Sequence, residues 1–504
     1  MKFPQKNSYL GLFKAVLAGL LTAQVIGFVH VYLSNKHLYE NMLLVGNAGY
    51  MAVPNEHVWR SLQSWGTAVW GGMFFALSIG AGLSVVALLG VWIWDRLFGR
   101  WRPPLLTLFF AWIVGIFAVN ANGVSLLASA YPAFVIPVVF FLALRRQPAG
   151  QEKGARLHGA LFLAAPVLLC IVWLPLTKGQ VFMDIRDNIL HNNAFGRMIN
   201  DFYYDHTLYA AEAFKSQHQK TIRTCRLEMA VNASHRSVME DAFLSHDYLL
   251  VDGDSPVDLS VEERAEKLLF KNGREEILTI TKEKFAAAPE AVLQEFSSRT
   301  DLYRPLRLLA FASLVIGSPV CLYIMLHGFF FFVLALFIRP RTAGLSAVLL
   351  CLALGITWSI PLYMSSSRDV GQVNYNQALQ SRHWQERVAA LRYMYDHGMS
   401  SQQIAKDYKK WLGSPHKAER FWYVRSLGVN NGTAAGRGLL AALDDPDINV
   451  VCMAFNGLGS RGDESVIDEI IQRLERSDKW YEQIYGYRAL RALGWHQKKS
   501  DQER

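Results

Sequence analysis

The sequence predicts a predominantly α-helical protein: a polytopic membrane bundle of about seven spans, a soluble α/β domain inserted into it, and a C-terminal solenoid of short helical hairpins. Three observations predict it. Of the 504 residues 52% are hydrophobic and only 18% charged, too apolar a balance for a soluble protein of this length. The apolar residues gather into runs long enough to cross about 30 Å of hydrocarbon as helices. From His383 onward the pattern changes to amphipathic helices broken at regular intervals.

The first apolar run, Leu10 to Leu33, follows Lys2, Lys6 and Lys14 and exceeds the core of a signal peptide, so it reads as a retained signal anchor. Further runs extend from Trp65 to Trp94, Leu105 to Val119, Val124 to Leu144, Gly159 to Leu176, Leu306 to Ile338 and Thr342 to Leu362. Asn120-Ala121-Asn122-Gly123 reads as a tight turn that makes the third and fourth runs a close hairpin. Domain boundaries follow: membrane segments at 1–177 and 305–364, the α/β insert at 178–304, a linker at 365–382, the repeat region at 383–496 and a polar tail at 497–504.

Orientation comes from Arg96, Arg100 and Arg102 after the second run, Arg145, Arg146, Lys153 and Arg156 after the fourth, and Arg339 and Arg341 after the sixth. Positive charge stays in the cytoplasm, which puts the N-terminus there. The protein is then expected in the inner (plasma) membrane, with Ser34 to Ser64, the insert and everything from Ser365 onward outside. The formal net charge of +9 therefore does not point to nucleic acid, because many of the basic residues flank apolar runs. The run from Leu306 is long for one helix and short for two. Two spans meeting at His327 and Gly328 would move the C-terminal region inside. One helix is expected, because the run from Trp65 is similarly long and ends alike, Leu97-Phe98-Gly99-Arg100 against Leu336-Phe337-Ile338-Arg339.

Phe75-Ala76-Leu77-Ser78-Ile79-Gly80 also echoes Phe311-Ala312-Ser313-Leu314-Val315-Ile316-Gly317, which fits either a duplicated two-helix unit or the shared vocabulary of apolar helices. In the second run Ala68, Gly72, Ala76, Gly80 and Ser84 recur every fourth residue. Such a stripe lets another helix approach closely, and packing within the bundle is expected over a dimer interface.

In the insert, Lys220 to Leu227 alternates like a strand, Leu268 to Lys271 and Ile277 to Ile280 flank Asn272-Gly273 as a hairpin, and a helix is expected from Lys282 to Phe296. In the C-terminal region Gly398, Gly428, Gly459 and Gly494 are expected to close successive units. The clearest unit begins Asp444-Asp445-Pro446-Asp447, a helix cap, and continues to Leu458-Gly459; Leu427-Gly428 and Leu493-Gly494 repeat the ending. This pattern resembles the short HEAT-like repeat family, also seen in phycobilisome lyase-type repeats, over about 110 residues. The first unit departs from it, with Tyr393-Met394-Tyr395 before Gly398. The resemblance implies a curved stack of antiparallel helices that binds protein.

Chemistry is sparse. Cys170, Cys225, Cys321, Cys351 and Cys452 show no CxxC or zinc spacing, and no phosphate loop, GxGxxG after a strand, HExxH or GxSxG occurs, so no cofactor or metal is implied. No span carries Asp, Glu, Lys or Arg near its middle, which lowers an ion-coupled transport reading. The densest titratable cluster is Asp184, Asp187, His191, Asp201, Asp205, His206 and Glu212. Within it Asp201 and Asp205 share a helix face beside His206, the weak candidates for acid/base work, against the plainer reading of a solvated surface. Trp422, Tyr423 and Arg425, with Trp480, Tyr481 and Arg488, are expected on the exposed face of the array as protein-binding anchors, although any one of them has the alternative of filling the core. Three functions remain: first, a membrane scaffold or assembly protein with a protein partner; second, a transporter or permease subunit; third, a membrane enzyme at the outer surface, glycosyltransferase-like by analogy alone.

Overall fold

The fold was analysed in a computed structural model, which describes residues 4–99, 101–145, 155–173, 181–191, 193–228, 233–366, 375–399, 402–430 and 432–499. Lys2, Arg100, Arg146, Lys153, most of the linker and the end of the tail lie outside the described residues.

Helix α1 (Pro4–Asn47) is about 66 Å long at 1.5 Å per residue, far more than a bilayer crossing needs. The apolar run ends at Leu33 but the helix does not. Beyond that point Leu38, Met42 and Val45 continue one buried face. The expected loop from Ser34 is thus largely helix, because packing on one side sustains it after the uniform hydrophobicity stops. Helix α2 (Glu56–Leu62) follows, capped by the Asn55 side chain. Helix α3 runs through Trp65–Phe75, a π-helical turn at Ala76–Gly80, and Ala81–Arg96. Helix α4 (Pro103–Val119) and helix α5 (Leu126–Ala130, a π turn at Tyr131–Val135, then Ile136–Leu144) form a hairpin. At its turn Asn120 accepts from Ser125 N–H at 2.7 Å and donates to Ser129 Oγ at 2.8 Å. Helix α6 (Ala155–Trp173) precedes the insert.

The insert opens with α7 (Val181–Ile185, continued by a π turn at Arg186–Leu190) and α8 (Ala194–Glu212). A five-stranded mixed sheet follows, from β1 (Arg223–Glu228), helix α9 (Ala233–Leu244), β2 (Tyr248–Leu250), β3 (Leu259–Arg264), β4 (Lys267–Asn272) and β5 (Glu275–Thr281), in the order β2-β1-β3-β4-β5. Strand β1 is parallel to β2 and β3, and the remaining pairs are antiparallel. The β4–β5 hairpin pairs Asn272 with Glu275, so its turn is Gly273-Arg274, one residue later than expected, with Gly273 at φ +59°. The expected single helix from Lys282 is two, α10 (Lys282–Ala287) and α11 (Pro289–Arg299). Pro289 disfavours helical geometry in the residue before it, and Ala288 sits at φ −151°, ψ 64°. Phe243, Phe270, Phe285 and Phe296 pack between sheet and helices.

Helix α12 comprises Arg304–Ala312, a π turn at Ser313–Gly317, and Ser318–Leu334, without interruption at His327 and Gly328. Helix α13 (Pro340–Ser366) returns beside α6, where Trp173 Nε1 donates to Gly355 O at 3.0 Å. Among the described residues five helices are long and apolar enough to cross a membrane: α1, α3, α5, α12 and α13; α4 and the apolar part of α6 are shorter.

The two long helices α3 and α12 cross at their π turns. Gly82 and Gly317 bring the backbones together, Ser318 Oγ donates to Leu77 O at 2.6 Å, and Ser313 Oγ donates to Ser78 O. A π turn displaces carbonyls from the regular ladder, and these hydroxyls give two of them partners. The stripe Ala68, Gly72, Ala76, Gly80 and Ser84 is buried and faces Gly19, Ala23 and Gly27 of α1. A Cβ on Gly72 would stand 2.6 Å from Phe28 N, so the two backbones are in contact there.

The C-terminal region consists of α14 (Tyr375–Leu379), α15 (Trp384–Asp396), α16 (Gln402–Lys406), α17 (Tyr408–Leu412), α18 (Lys417–Leu427), α19 (Thr433–Ala442), α20 (Ile448–Arg461), α21 (Ile467–Arg476) and α22 (Trp480–Ala492). Helices α15, α18, α20 and α22 lie side by side as an inner row, and α16, α17, α19 and α21 back them. The same cap opens each inner helix: the side chains of Ser381, Ser414, Asp445 and Ser477 accept the N–H two residues on, at 3.0, 3.2, 2.8 and 3.2 Å. These caps recur about every 32 residues. Gly398 and Gly494 follow their helices at positive φ as expected, but Gly459 lies inside α20, which ends at Gly462, φ +68°. Gly459 serves contact instead, with Ala489 of the next inner helix so close that a Cβ would fall 2.9 Å from its Cα.

Candidate functional site

The inner row of the array is covered by its own chain. Segment α7–α8, which leaves the end of α6, runs beneath α15, α18 and α22 and supplies each with a partner. Arg392 on α15 pairs with Asp184 at 2.8 Å. On α18, Trp422 Nε1 donates to Asp187 Oδ2 at 2.8 Å, and Phe421 lies under the Arg186 guanidinium, 3.9 Å from the ring centre. Arg186 in turn holds Asp187 at 2.7 Å. On α22, Trp480 packs edge-on against Tyr209 and Tyr481 against Tyr204, with ring centres 5.2 and 4.9 Å apart.

The exposure expected for the aromatic anchors is therefore corrected. Trp422, Tyr423 and Trp480 are buried, and Tyr481 and Arg425 are half-buried. The physical reason is that a two-layer stack has one inner face, and α7–α8 occupies it. Trp422, Trp480 and Tyr481 grip that segment, as does Arg425, whose guanidinium lies 3.7 Å from Met183 Sδ and 4.2 Å from the Tyr395 ring centre. Tyr423 stacks on Trp411 and donates to Ile404 O at 3.2 Å, within the array. Only Arg488 of the six stays exposed.

The titratable cluster is dispersed by the same arrangement. Asp184, Asp187 and His191 are buried under the array. Asp201 is exposed and meets Lys417 at 3.5 Å, Asp205 is exposed, and His206 packs on Phe202 and Trp70. Glu212 lies at the far end of α8, paired with Lys215 at 2.7 Å. The weak catalytic candidates Asp201, Asp205 and His206 thus share α8 without converging on a common point. Among the described residues no group of three or more His, Cys, Asp or Glu side chains is placed to hold a metal ion.

Electrostatics favour the closed interface. Burial works against ionisation of Asp447, but Lys417 at 2.7 Å outweighs it and holds the carboxyl below its ordinary range. Burial also opposes the charge on Arg186, and Asp187 more than restores it. Burial lowers the pKa of His191, which is influenced by Asp187, Arg186, Asp447 and Lys417.

A second set of contacts joins α21, α22 and the residues after them to the loop after α1 and to the insert. Gln497 brackets the Met51 peptide, accepting from its N–H at 3.0 Å and donating to its C=O at 2.7 Å. Asn55 donates to Leu474 O at 2.9 Å, and its own N–H is accepted by Gln483 Oε1 at 2.9 Å. Tyr487 donates to Asp247 of the insert at 2.6 Å, and Arg491 pairs with the same carboxylate at 3.0 Å. Sequence reading passed over Asn55, Asp247, Gln483 and Gln497, since an isolated amide or carboxylate carries no pattern. The recurring cap was readable, as Ser381, Ser414 and Ser477 each precede a Glu by five residues. No protein-family model matches the sequence, and no curated protein or solved structure matches it significantly.

Proposed function

We propose that the chain is an integral membrane scaffold or assembly protein whose HEAT-like array braces an extracytoplasmic body and presents it to a protein partner in the cell envelope. The observation that carries this reading is the docking of α22 on the loop after α1 and on two parts of the insert, helix α8 and Asp247 before β2. Such a joint makes the insert and array one platform, which suits holding a partner in a fixed pose. The recurring caps and the consecutive packing of inner helices support the repeat reading. The outer helices, with exposed Lys409, Lys410, Asp468 and Glu469, remain for the partner. In this reading the five long helices together with α4 and α6 make seven crossings of the inner membrane, from a cytoplasmic N-terminus.

The test is co-purification from membranes of full-length protein and of a form lacking residues from His383 onward, beside the exposed double variant Asp468→Lys and Glu469→Lys and the counterpart Lys409→Glu and Lys410→Glu. A partner lost on deletion and from one charge-reversed variant, at normal protein level, supports the proposal. An unchanged set of co-purifying proteins in all forms rejects it. The transporter reading is favoured by one observation, the crossing of two π-interrupted helices at the sequence echo, since π turns gather at functional positions. Uptake by reconstituted vesicles separates it from the scaffold.

A further inference from the structure

Where the projecting end of α1 meets the insert, a cavity of about 380 Å³ opens. One wall is apolar or aromatic, including Leu33, Leu38, Leu127, Tyr303 and Trp480. The lining is ionic as well: Glu212 pairs with Lys215 at 2.7 Å, Lys220 with Asp258 at 2.5 Å, and the lining carboxylate of Asp301 with Arg307 behind it. His30 lines the cavity from α1; its side chain is 2% exposed, and its Nε2 has no hydrogen-bond partner. Gln217 Oε1, also in the lining, is buried and unpartnered. Both atoms are closed off from the cavity space, so the chemistry of an occupant is read from the charged part of the lining.

We infer that this cavity binds the zwitterionic headgroup of a membrane amphiphile, of the phosphoethanolamine type. The lining holds three carboxylates and two lysines, with Arg307 behind Asp301, so it offers both signs. A simple anion would have to draw Lys215 and Lys220 away from their carboxylates. A zwitterion meets both partners of each pair, its phosphate oxygens taking ammonium donors and its ammonium group the carboxylates. A primary ammonium fits better than a quaternary one because only the former donates hydrogen bonds. Position argues for an amphiphile. Leu33, 47% exposed, ends the apolar run of α1, and the surface beside the cavity continues through Val29 and Leu126, 41% and 85% exposed. Acyl chains can lie on that surface while the head enters between Leu33 and Leu127. The inference rests on the bundle's placement in a bilayer and not on the array's holding a partner, so it and the scaffold reading fail separately.

The test uses delipidated full-length protein in non-ionic detergent, titrated calorimetrically with dihexanoyl-phosphoethanolamine, with its phosphocholine and phosphoglycerol counterparts, and with soluble glycerophosphoethanolamine. The phosphoethanolamine lipid should saturate one site, with the other two lipids and the soluble head each bound at least ten-fold more weakly. Leu33→Trp, at an exposed position, narrows the mouth and should weaken binding at least ten-fold with the thermal midpoint unchanged; Lys215→Gln should act likewise on the ionic part of the lining. Equal affinity for all three lipids, no saturable binding, or wild-type binding by Leu33→Trp would overturn the site. Glycerophosphoethanolamine binding as tightly as the lipid would overturn the membrane amphiphile as its source.

Discussion

At Trp422 one N–H decides how the array meets the segment below it. The indole donates to Asp187, a carboxylate buried to 5% exposure and also held by Arg186. Trp422→Phe keeps most of the ring packing and removes that donor, which should cost about 1–3 kcal/mol, read by urea unfolding in detergent. An unchanged midpoint would show that Arg186 alone satisfies the carboxylate. Acid should loosen the same interface in two stages. Because burial lowers His191 below its ordinary 6.5, the unfolded chain takes up its proton first, and stability falls as pH drops below that value until the folded group also protonates. Asp447 is lowered below 3.8, so its contribution is complete above that pH and is lost as pH falls through its folded value. His191→Gln should reduce the first stage, to which His206 and His416, also lowered by burial, contribute, and leave the second; identical pH profiles would exclude His191 as a source. At this scale sequence chemistry was partly legible: Trp and Arg were recognisable as anchors. Their face was not, because inner helices such as α18 bury paired charged residues, Glu419 and Arg420, along with apolar ones, and periodicity cannot tell the core from a covered face.

Among elements, the small-residue stripe of α3 meets a matching one on α1, and the clearance differs along it. At Gly72 a built Cβ meets backbone atoms of Gly27 and Phe28 at 2.6, 2.9 and 3.1 Å, whereas at Gly80 it meets the Ala23 methyl alone at 2.5 Å, the next atom lying 3.7 Å away. Gly72→Leu should therefore lower accumulation in the membrane several-fold and more than Gly80→Leu, beyond the ~1–3 kcal/mol of ordinary overpacking. Gly115→Leu in α4, with nothing within 4 Å of its Cβ position, should accumulate like wild type. Equal levels in all three on quantitative immunoblots would remove close approach as the cause. Long apolar helices and the hairpin at Asn120 were legible because length and turn chemistry are local. The continuation of α1 to Asn47 was hidden, since hydrophobicity marks where a helix leaves lipid rather than where it ends. The sheet order was hidden too, as β2 and β3 are short and their pairing depends on residues distant in sequence.

For the molecule as a whole, the contacts of Met51 with Gln497 and of Asp247 with Arg491 require the loop after α1, the insert and the array to share one side of any membrane the bundle spans. A single cysteine placed at exposed Lys499 in a background without the native cysteines should react with an impermeant maleimide applied to intact spheroplasts. Labelling only after lysis would put all three segments in the cytoplasm and overturn the seven-crossing topology. The arginine clusters supply only an expected sidedness, and the joining of the three segments was not legible, since it rests on single amides far apart in the chain. That joining has a consequence for biosynthesis. With residues 51 and 497 as partners, the joint closes across 446 positions. At about 5–20 residues per second the first half of the clasp waits roughly 20–90 s for the second to emerge. Throughout that interval the surface around Met51 and Asn55 stands uncovered, a recognisable mark of an unfinished chain on which a chaperone or protease can act before the last helix hides it.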